Sequence, residues 1–273
     1  MHSEQPNYTQ VFLTFARNSL IRDMTFRWDF IIQAVSSLCW MLMNLGFYLL
    51  IFQYTKEISG WSKYQFFLFM ATTMIINSLV QTFFMPNAAE FSELIRTGGL
   101  DFALLKPIDT QFLISFRRVE WASMSNFVFG LGLLSFSLWQ LEVMPTWWQV
   151  LLFPVFVFCG VLIFYSLMIT LAATSIWLGR NQSLYNFWFY ITNFSRYPLE
   201  IYRGPYGSWL QWFFTFLIPV LVVVNVPARL LAQEMDRQKW GLTAFAVFAA
   251  VMSLLASRWI FQSALGSYRS ASS

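Results

Sequence analysis

The feature that most constrains this chain is a series of long apolar runs, almost free of Asp, Glu, Lys and Arg, whose ends are marked by Trp and Tyr. A bilayer core about 30 Å thick needs about 20 apolar residues at 1.5 Å per helical residue, with indoles and phenols at its two boundaries. By that ruler the first span is 30–54, opened by Trp28 and Asp29 and closed by Tyr54 and Lys56. The second is 64–86, after Trp61 and Tyr64, and the third is 118–141, its apolar run beginning at Trp121. A tight connection from Glu142 to Pro145 leads into a fourth, 147–178, long enough that it should tilt, protrude or break near Pro154 or Gly160. A clear last span covers 241–262.

Composition names the solvent. Hydrophobic residues fill 58% of the 273 positions and charged ones 11%, against about 25% charged in an ordinary soluble domain. That leaves too few polar side chains to coat a water-facing surface, which rules out a soluble globular fold, a coiled coil and a disordered chain. Cys39 and Cys159 lie inside apolar runs without CxxC or Cys/His spacing, so both read as small core side chains. With His2 as the single histidine, His-based metal sites and triads are all but excluded and no metal site is expected. The net charge of +4 comes from basic residues scattered between apolar segments, which fits the positive-inside rule and not a nucleic-acid surface.

The stretch before the last span is less regular. Leu184 to Tyr197 is aromatic but short, Pro198 to Ser208 turn-rich, Trp209 to Val224 apolar and Pro227 to Lys239 polar. Two topologies fit. In one, the segment from Leu184 crosses and the piece around Pro219 and Pro227 dips in and returns. In the other, the segment from Leu184 lies on the surface and Trp209 to Val224 crosses. Both give six spans with the termini on one side. Arg17, Arg22, Arg27, Arg96, Lys106, Arg117, Arg118, Arg180 and Arg269 place that side in the cytoplasm, opposed by Lys56, Lys63 and a basic group from Arg196 to Lys239.

Residues 1–29 do not have the form of a cleavable signal. Within them 7–27 mixes Val11, Phe12, Phe15, Leu20 and Met24 with charges, as expected for a helix in the cytoplasmic interface, either a plain anchor or an elbow touching a partner. The cytoplasmic loop 87–117 is longer than a connector needs. Its AAEFSELIRT half puts Phe91, Leu94 and Ile95 on one helical side and Glu90, Glu93 and Arg96 on the other. Gly98 and Gly99 supply a stop, Asp101 can cap a short turn through FALLK, and Pro107 ends it.

The run LIRTGGLDFALLKPID resembles the hallmark of type-2 ATP-binding-cassette (ABC) transporter permeases of the six-span exporter kind. The stretch RYPLEIYRGPYGSWLQWFFTFLIPVLVVVNVPARLL is similar to that family's Pro-rich segment after the fifth span. The resemblance implies an all-α polytopic membrane protein with six transmembrane helices and an N-terminal interfacial helix. It also implies a cytoplasmic coupling helix, and an external re-entrant hairpin (199–239) between a fifth span at 184–198 and the last. It assigns ATPase coupling to Glu90, Glu93, Arg96, Gly98, Gly99, Leu100, Asp101, Lys106 and Pro107. No GxxxxGK[ST] phosphate loop is present. The resemblance therefore implies that ATP and Mg are bound by a separate ABC ATPase subunit and that a second or related permease completes the pathway. Location in the plasma membrane, the inner one in a Gram-negative cell, follows from it.

Polar residues within spans face protein or a cavity, because lipid offers no hydrogen bonds. Thr73, Asn77 and Gln81 recur at i, i+4 and i+8 and, with Asn126, make a possible substrate path; Ser166, Thr170 and Thr174 repeat the spacing in the fourth span. Helix packing by small and hydroxyl residues explains the same pattern. No ionisable residue is read at mid-span, which disfavours a secondary carrier. An intramembrane lipid-modifying enzyme would have to rely on carboxylates such as Glu120, beside Arg117 and Arg118.

Overall fold

The computed structural model describes residues 7–141, 145–178, 182–233 and 237–268. His2, Glu142, Arg180 and Arg269, used above for chemistry, turn and charge, lie outside them. The described chain is almost wholly helical. Five helices are long and apolar enough to cross a membrane, and six spans result if a pair bent by 88° counts as one.

Helix α1 (Tyr8–Thr25) starts where the Asn7 side chain accepts from the Gln10 amide at 3.3 Å, satisfying an otherwise orphaned N–H. Phe26 separates it from α2 (Arg27–Tyr54), the first span. A two-residue hairpin, β1 (Glu57–Ile58) and β2 (Trp61–Ser62), reverses the chain. Its turn residues Ser59 and Gly60 both have positive φ, as twisted two-residue hairpins require. Ser62 and Gln65 form a capping box that opens α3 (Lys63–Phe83). The end of the bundle carrying β1 and β2 is the hairpin end. At the other, the loop end, stand α4 (Met85–Arg96), α5 (Gly99–Leu104) and α6 (Thr110–Phe116).

Helix α7 (Met124–Gln140) returns to the hairpin end and α8 (Trp147–Ala173), opened by a Thr146/Gln149 capping box, runs back. This helix passes unbroken through Pro154 and Gly160 and is capped at Thr174, so of the tilt, protrusion or break expected for so long a span the break does not occur. Pro154 is the eighth residue of the helix and leaves the Val150 carbonyl without its intrahelical partner, yet the helix continues through it, and Gly160 serves packing instead of bending. The short α9 (Ser175–Leu178) follows, then α10 (Gln182–Asn193), α11 (Ser208–Trp212), α12 (Val220–Ala232) and α13 (Arg237–Gly266).

The core is centred on α12, all thirteen of whose residues are buried, packed against α3 and α8. Two glycines set the closest approaches. A Cβ on Gly130 of α7 would lie 2.9 Å from Ile75 Cγ1 and 3.3 Å from the Ala71 carbonyl oxygen of α3. On Gly160 of α8 it would lie 2.9 Å from the Val223 carbonyl oxygen of α12. That carbonyl is the one Pro227, four residues on, cannot hydrogen-bond. The glycine lets the neighbouring backbone close over the freed oxygen, which lipid could not have satisfied.

The irregular stretch begins at the loop end of the bundle and finishes at the hairpin end. Trp188 packs against Phe164 of α8, with ring centroids 5.9 Å apart, near the loop end. By Glu200 the chain has reached the hairpin end, where Trp61 Nε1 donates to the Glu200 carboxylate at 3.1 Å. The chain dips through α11 to Pro219, turns by 88°, and climbs along α12 until Gln65 Nε2 reaches the Ala232 carbonyl at 2.9 Å. Two contacts hold this return. Asn225 Oδ1 accepts from the Leu199 amide at 2.8 Å, and Arg229 pairs with Glu200 at 2.5 Å in a nearly buried bridge. A buried charge of this kind is tolerated only with its partner in place.

In contrast, α2 buries none of its residues, and Trp40, Phe47 and Leu50 are exposed along it. It touches the bundle along the Trp121–Ser123 turn and α7, and at the hairpin end through Tyr48 and Phe52, 4.6 and 5.9 Å from the Phe66 ring. Cys39 is therefore exposed, not a core side chain, whereas Cys159 is buried as expected.

Candidate functional site

Between α2, α3, α7 and the turn after α10 lies an open cleft of about 400 Å³. The hairpin sets α2 and α3 antiparallel, so Ser37 to Tyr48 on one faces Met70 to Gln81 on the other, about 16 Å of helix on each. Thr73, Asn77 and Gln81 of α3 and Asn126 of α7, the four positions read as a possible path, all line it. Four-residue spacing put the first three on one face; the close approach at Gly130 brings the fourth alongside.

The Thr73 hydroxyl donates back to the Phe69 carbonyl at 2.9 Å. Asn44 Nδ2 likewise donates to the Trp40 carbonyl at 2.8 Å. Among the described residues, the amides of Asn77, Gln81 and Asn126 have no protein hydrogen-bond partner and face the cleft. Half-buried amides in a membrane protein need a polar partner. These are placed to bind water or a polar ligand.

Of the opposite wall, the sequence reading picked out only Asn44, as an isolated polar position in the first span. Ser37, Met41, Asn44 and Tyr48 of α2 also line the cleft, as do Arg196 and Tyr197. The α2 residues follow i, i+4, i+7, i+11, a one-face signal that could have been found beside the stripe on α3. The other hydroxyl stripe lies elsewhere: Ser166 is buried on α8, and the Thr174 hydroxyl turns back to the Leu171 carbonyl at 2.6 Å.

At the loop end the helix over Glu90 to Arg96 is amphipathic as read. Phe91 is buried with its ring 5.9 Å from Phe261, while Glu93 and Arg96 form an exposed pair and Glu90 meets Arg117 at 3.4 Å. Gly98 takes the left-handed conformation, φ +72°, that stops α4, and Gly99 opens α5. Leu100 is fully buried, and Lys106 and Pro107 are exposed beyond the helix. Asp101 falls in the first turn of α5 and is not its cap, because Gly98 occupies that position.

The capping carboxylate of this region is Asp109, which accepts from the Phe112 amide at 2.9 Å and starts α6. Arg258 of α13 grips the same carboxylate with both guanidinium nitrogens and reaches Gln111 Oε1 at 3.0 Å. Gln111 Nε2 and Ser115 Oγ each stand 2.9 Å from the Tyr165 hydroxyl of α8. Thus α6 is bolted to α8 and α13. The Arg258 hydrogen bonds hold the Asp109 carboxyl below the usual carboxylate range, against the opposing effect of burial. Arg258 lies four residues from the end of the expected last span and Arg196 two from the end of the expected fifth, so neither is at mid-span, but neither was singled out from the sequence.

The bolt leaves α5 protruding. Phe102 and Leu105 are 73% and 81% exposed, an apolar tip beyond the bundle that the search for charged and Gly positions passed over. Glu120 accepts from the Ser123 hydroxyl at 3.3 Å, and Arg117 pairs with Glu90 instead of with it. Helix α1 packs along this end: Phe12 lies 5.6 Å from Phe116, Trp121 Nε1 donates to the Ala16 carbonyl, and Ser19 Oγ accepts from the Val119 amide.

A bundle of membrane-crossing helices with a polar cleft, and without a nucleotide-binding unit among the described residues, defines an integral membrane protein of the transport type. Residues 38–272 match the ABC-2 family transporter proteins, and the chain belongs to that family as a membrane component of an ABC transporter. No curated protein and no solved structure matches the chain.

Proposed function

We propose that this chain is the permease subunit of an ABC exporter. A separate ABC ATPase, which holds ATP and Mg, docks on α5, and two permeases, identical or related, enclose the pathway. The loop end and both termini face the cytoplasm of the plasma membrane, and the hairpin end faces outward. The convergence of Thr73, Asn77, Gln81 and Asn126 on one cleft carries this reading. It supplies a polar route inside a structure that lipid would otherwise surround. The second support is mechanical. A push on α5 passes into α6 and, through Asp109 and Arg258, into α13.

The test is co-expression with the ABC ATPase encoded by an adjacent gene, followed by purification of the complex and assay of vanadate-sensitive hydrolysis. Replacing Gly98, Gly99 and Asp101 together by Ala is expected to preserve the complex but cut transport-coupled hydrolysis about tenfold or more, since Ala at φ +72° strains the α4–α5 joint. Full coupling in that variant removes the loop from the mechanism.

A further inference from the structure

Resting on the transport reading, the question is which chemistry the cleft accepts. Its wall is mixed. Trp40, Met41, Met70 and Met74 give apolar surface, the Asn and Gln amides give neutral polarity, and Arg196 is the only charged side chain among the described lining residues. No carboxylate lines it. The acid nearest to Arg196 along the chain, Glu200, is already engaged by Arg229 at 2.5 Å and by Trp61 Nε1 at 3.1 Å. Arg196 belongs to none of the ion pairs among the described residues. Arg196 is exposed on the wall of this cleft, and a guanidinium there without a counter-ion attracts an anion, its planar fork suiting carboxylate or phosphate oxygens.

We infer that the cleft is selective for an amphipathic anion. Its acidic group sits at the hairpin end against Arg196, with the phenols of Tyr48 and Tyr197 beside it. Its uncharged polar part meets Asn77, Gln81 and Asn126, and its apolar body lies on Trp40 and the methionines. The volume, about 400 Å³, admits one headgroup with part of a chain or one compact soluble amphiphile. Because the amides lie toward the loop end and Arg196 toward the hairpin end, the acidic group is the leading end in outward movement.

The test uses the full chain in neutral phosphatidylcholine nanodiscs, with and without its ATPase. Three amphiphiles of equal tail are titrated: dodecyl phosphate, dodecyltrimethylammonium and dodecyl maltoside. Wild type is expected to bind dodecyl phosphate about tenfold more tightly than the cation or the neutral compound. Arg196→Gln loses that preference, Arg196→Lys retains part of it, and Arg203→Gln, outside the cleft, leaves it unchanged. Adding phosphatidylglycerol to the nanodisc separates the two sources of the anion. Competition with dodecyl phosphate means that a lipid headgroup is taken, and its absence means a soluble amphiphile. Equal binding of anion and cation by wild type, or an undiminished preference in a correctly folded Arg196→Gln, overturns the inference. Loop-dependent ATP hydrolysis without anion preference defeats this inference alone. Anion preference without loop-dependent hydrolysis defeats the transport reading and leaves the anion site standing.

Discussion

At the scale of single residues, the tightest constraints are where backbones meet. Gly160→Ala places a methyl 2.9 Å from the Val223 carbonyl oxygen and 3.2 Å from Ile76 Cδ1; the side chain can yield but the Val223 backbone cannot do so cheaply. A loss of about 1–3 kcal/mol is expected, read as a lower unfolding temperature in detergent. Gly132→Ala, with nothing within 4 Å, should be neutral in the same assay. Asp109 gives a pH signature. Its carboxyl is held below the ordinary range by Arg258, so its contribution is complete above the unfolded pKa, about 3.9. It fades only as pH falls through the lower folded value. Wild type and Asp109→Asn should therefore differ by a constant amount from pH 5 to 8 and converge under acid conditions. Since the pair is about a third exposed, the plateau difference is expected at only about 0.5–1 kcal/mol. Equal stability at neutral pH would show that the contact bears no load.

At the scale of elements, α5 is the piece with the least reason to exist in isolation. It is six residues long, set off from α4 by Gly98, and displays Phe102 and Leu105 to solvent. Exposed aromatic and aliphatic tips on a rigid base are what protein partners bury at the centre of an interface. Phe102→Ala with Leu105→Ala should weaken ATPase association by about 2 kcal/mol or more, roughly thirtyfold, measured by co-purification or titration of the ATPase subunit. Undiminished association would place the docking surface elsewhere. The loop shows what a sequence can and cannot disclose. Glycine stops, the amphipathic face of α4 and the polar stripe on α3 are local patterns, set by spacing along one helix, and were legible. The bolt from Asp109 to Arg258 joins residues 149 apart in sequence, and no local period announces such a pair. Asp101 was read as the cap because it follows two glycines, yet the left-handed Gly98 already fills that position. The long α8 was expected to tilt, protrude or break near Pro154 or Gly160 because it exceeds the bilayer, and it does not break. Packing against α12 gave Gly160 a different use.

At the scale of the whole molecule, the open matter is which end faces the cytoplasm. The positive-inside rule counts residues, but the structure changes what each charge is worth. Arg229 is neutralised by Glu200 in a nearly buried bridge, and Arg196 stands in the wall of the cleft. Arg229 is therefore no free charge at the hairpin surface, and the basic group that opposed the orientation loses that one member. Arg17, Arg22, Arg27, Arg96, Lys106, Arg117 and Arg118 at the loop end then outnumber Lys56, Lys63, Arg196, Arg203, Arg237 and Lys239 at the other, which favours the loop end inside. Single cysteines at exposed positions, in a background with Cys39→Ser and Cys159→Ser, convert the argument into a measurement. In intact cells, Lys56→Cys and Arg203→Cys should react with a membrane-impermeant maleimide, and Lys106→Cys only after permeabilisation. Arg203 is the informative site, because it lies between the Glu200 contact with Trp61 and the inward dip toward Pro219. If it reacts together with Lys56, the chain from Gln182 has crossed the bilayer and the segment to Ala232 enters and leaves from one face. If it reacts together with Lys106, the fifth crossing is misplaced, and the cleft would open to the same side as the motor meant to empty it.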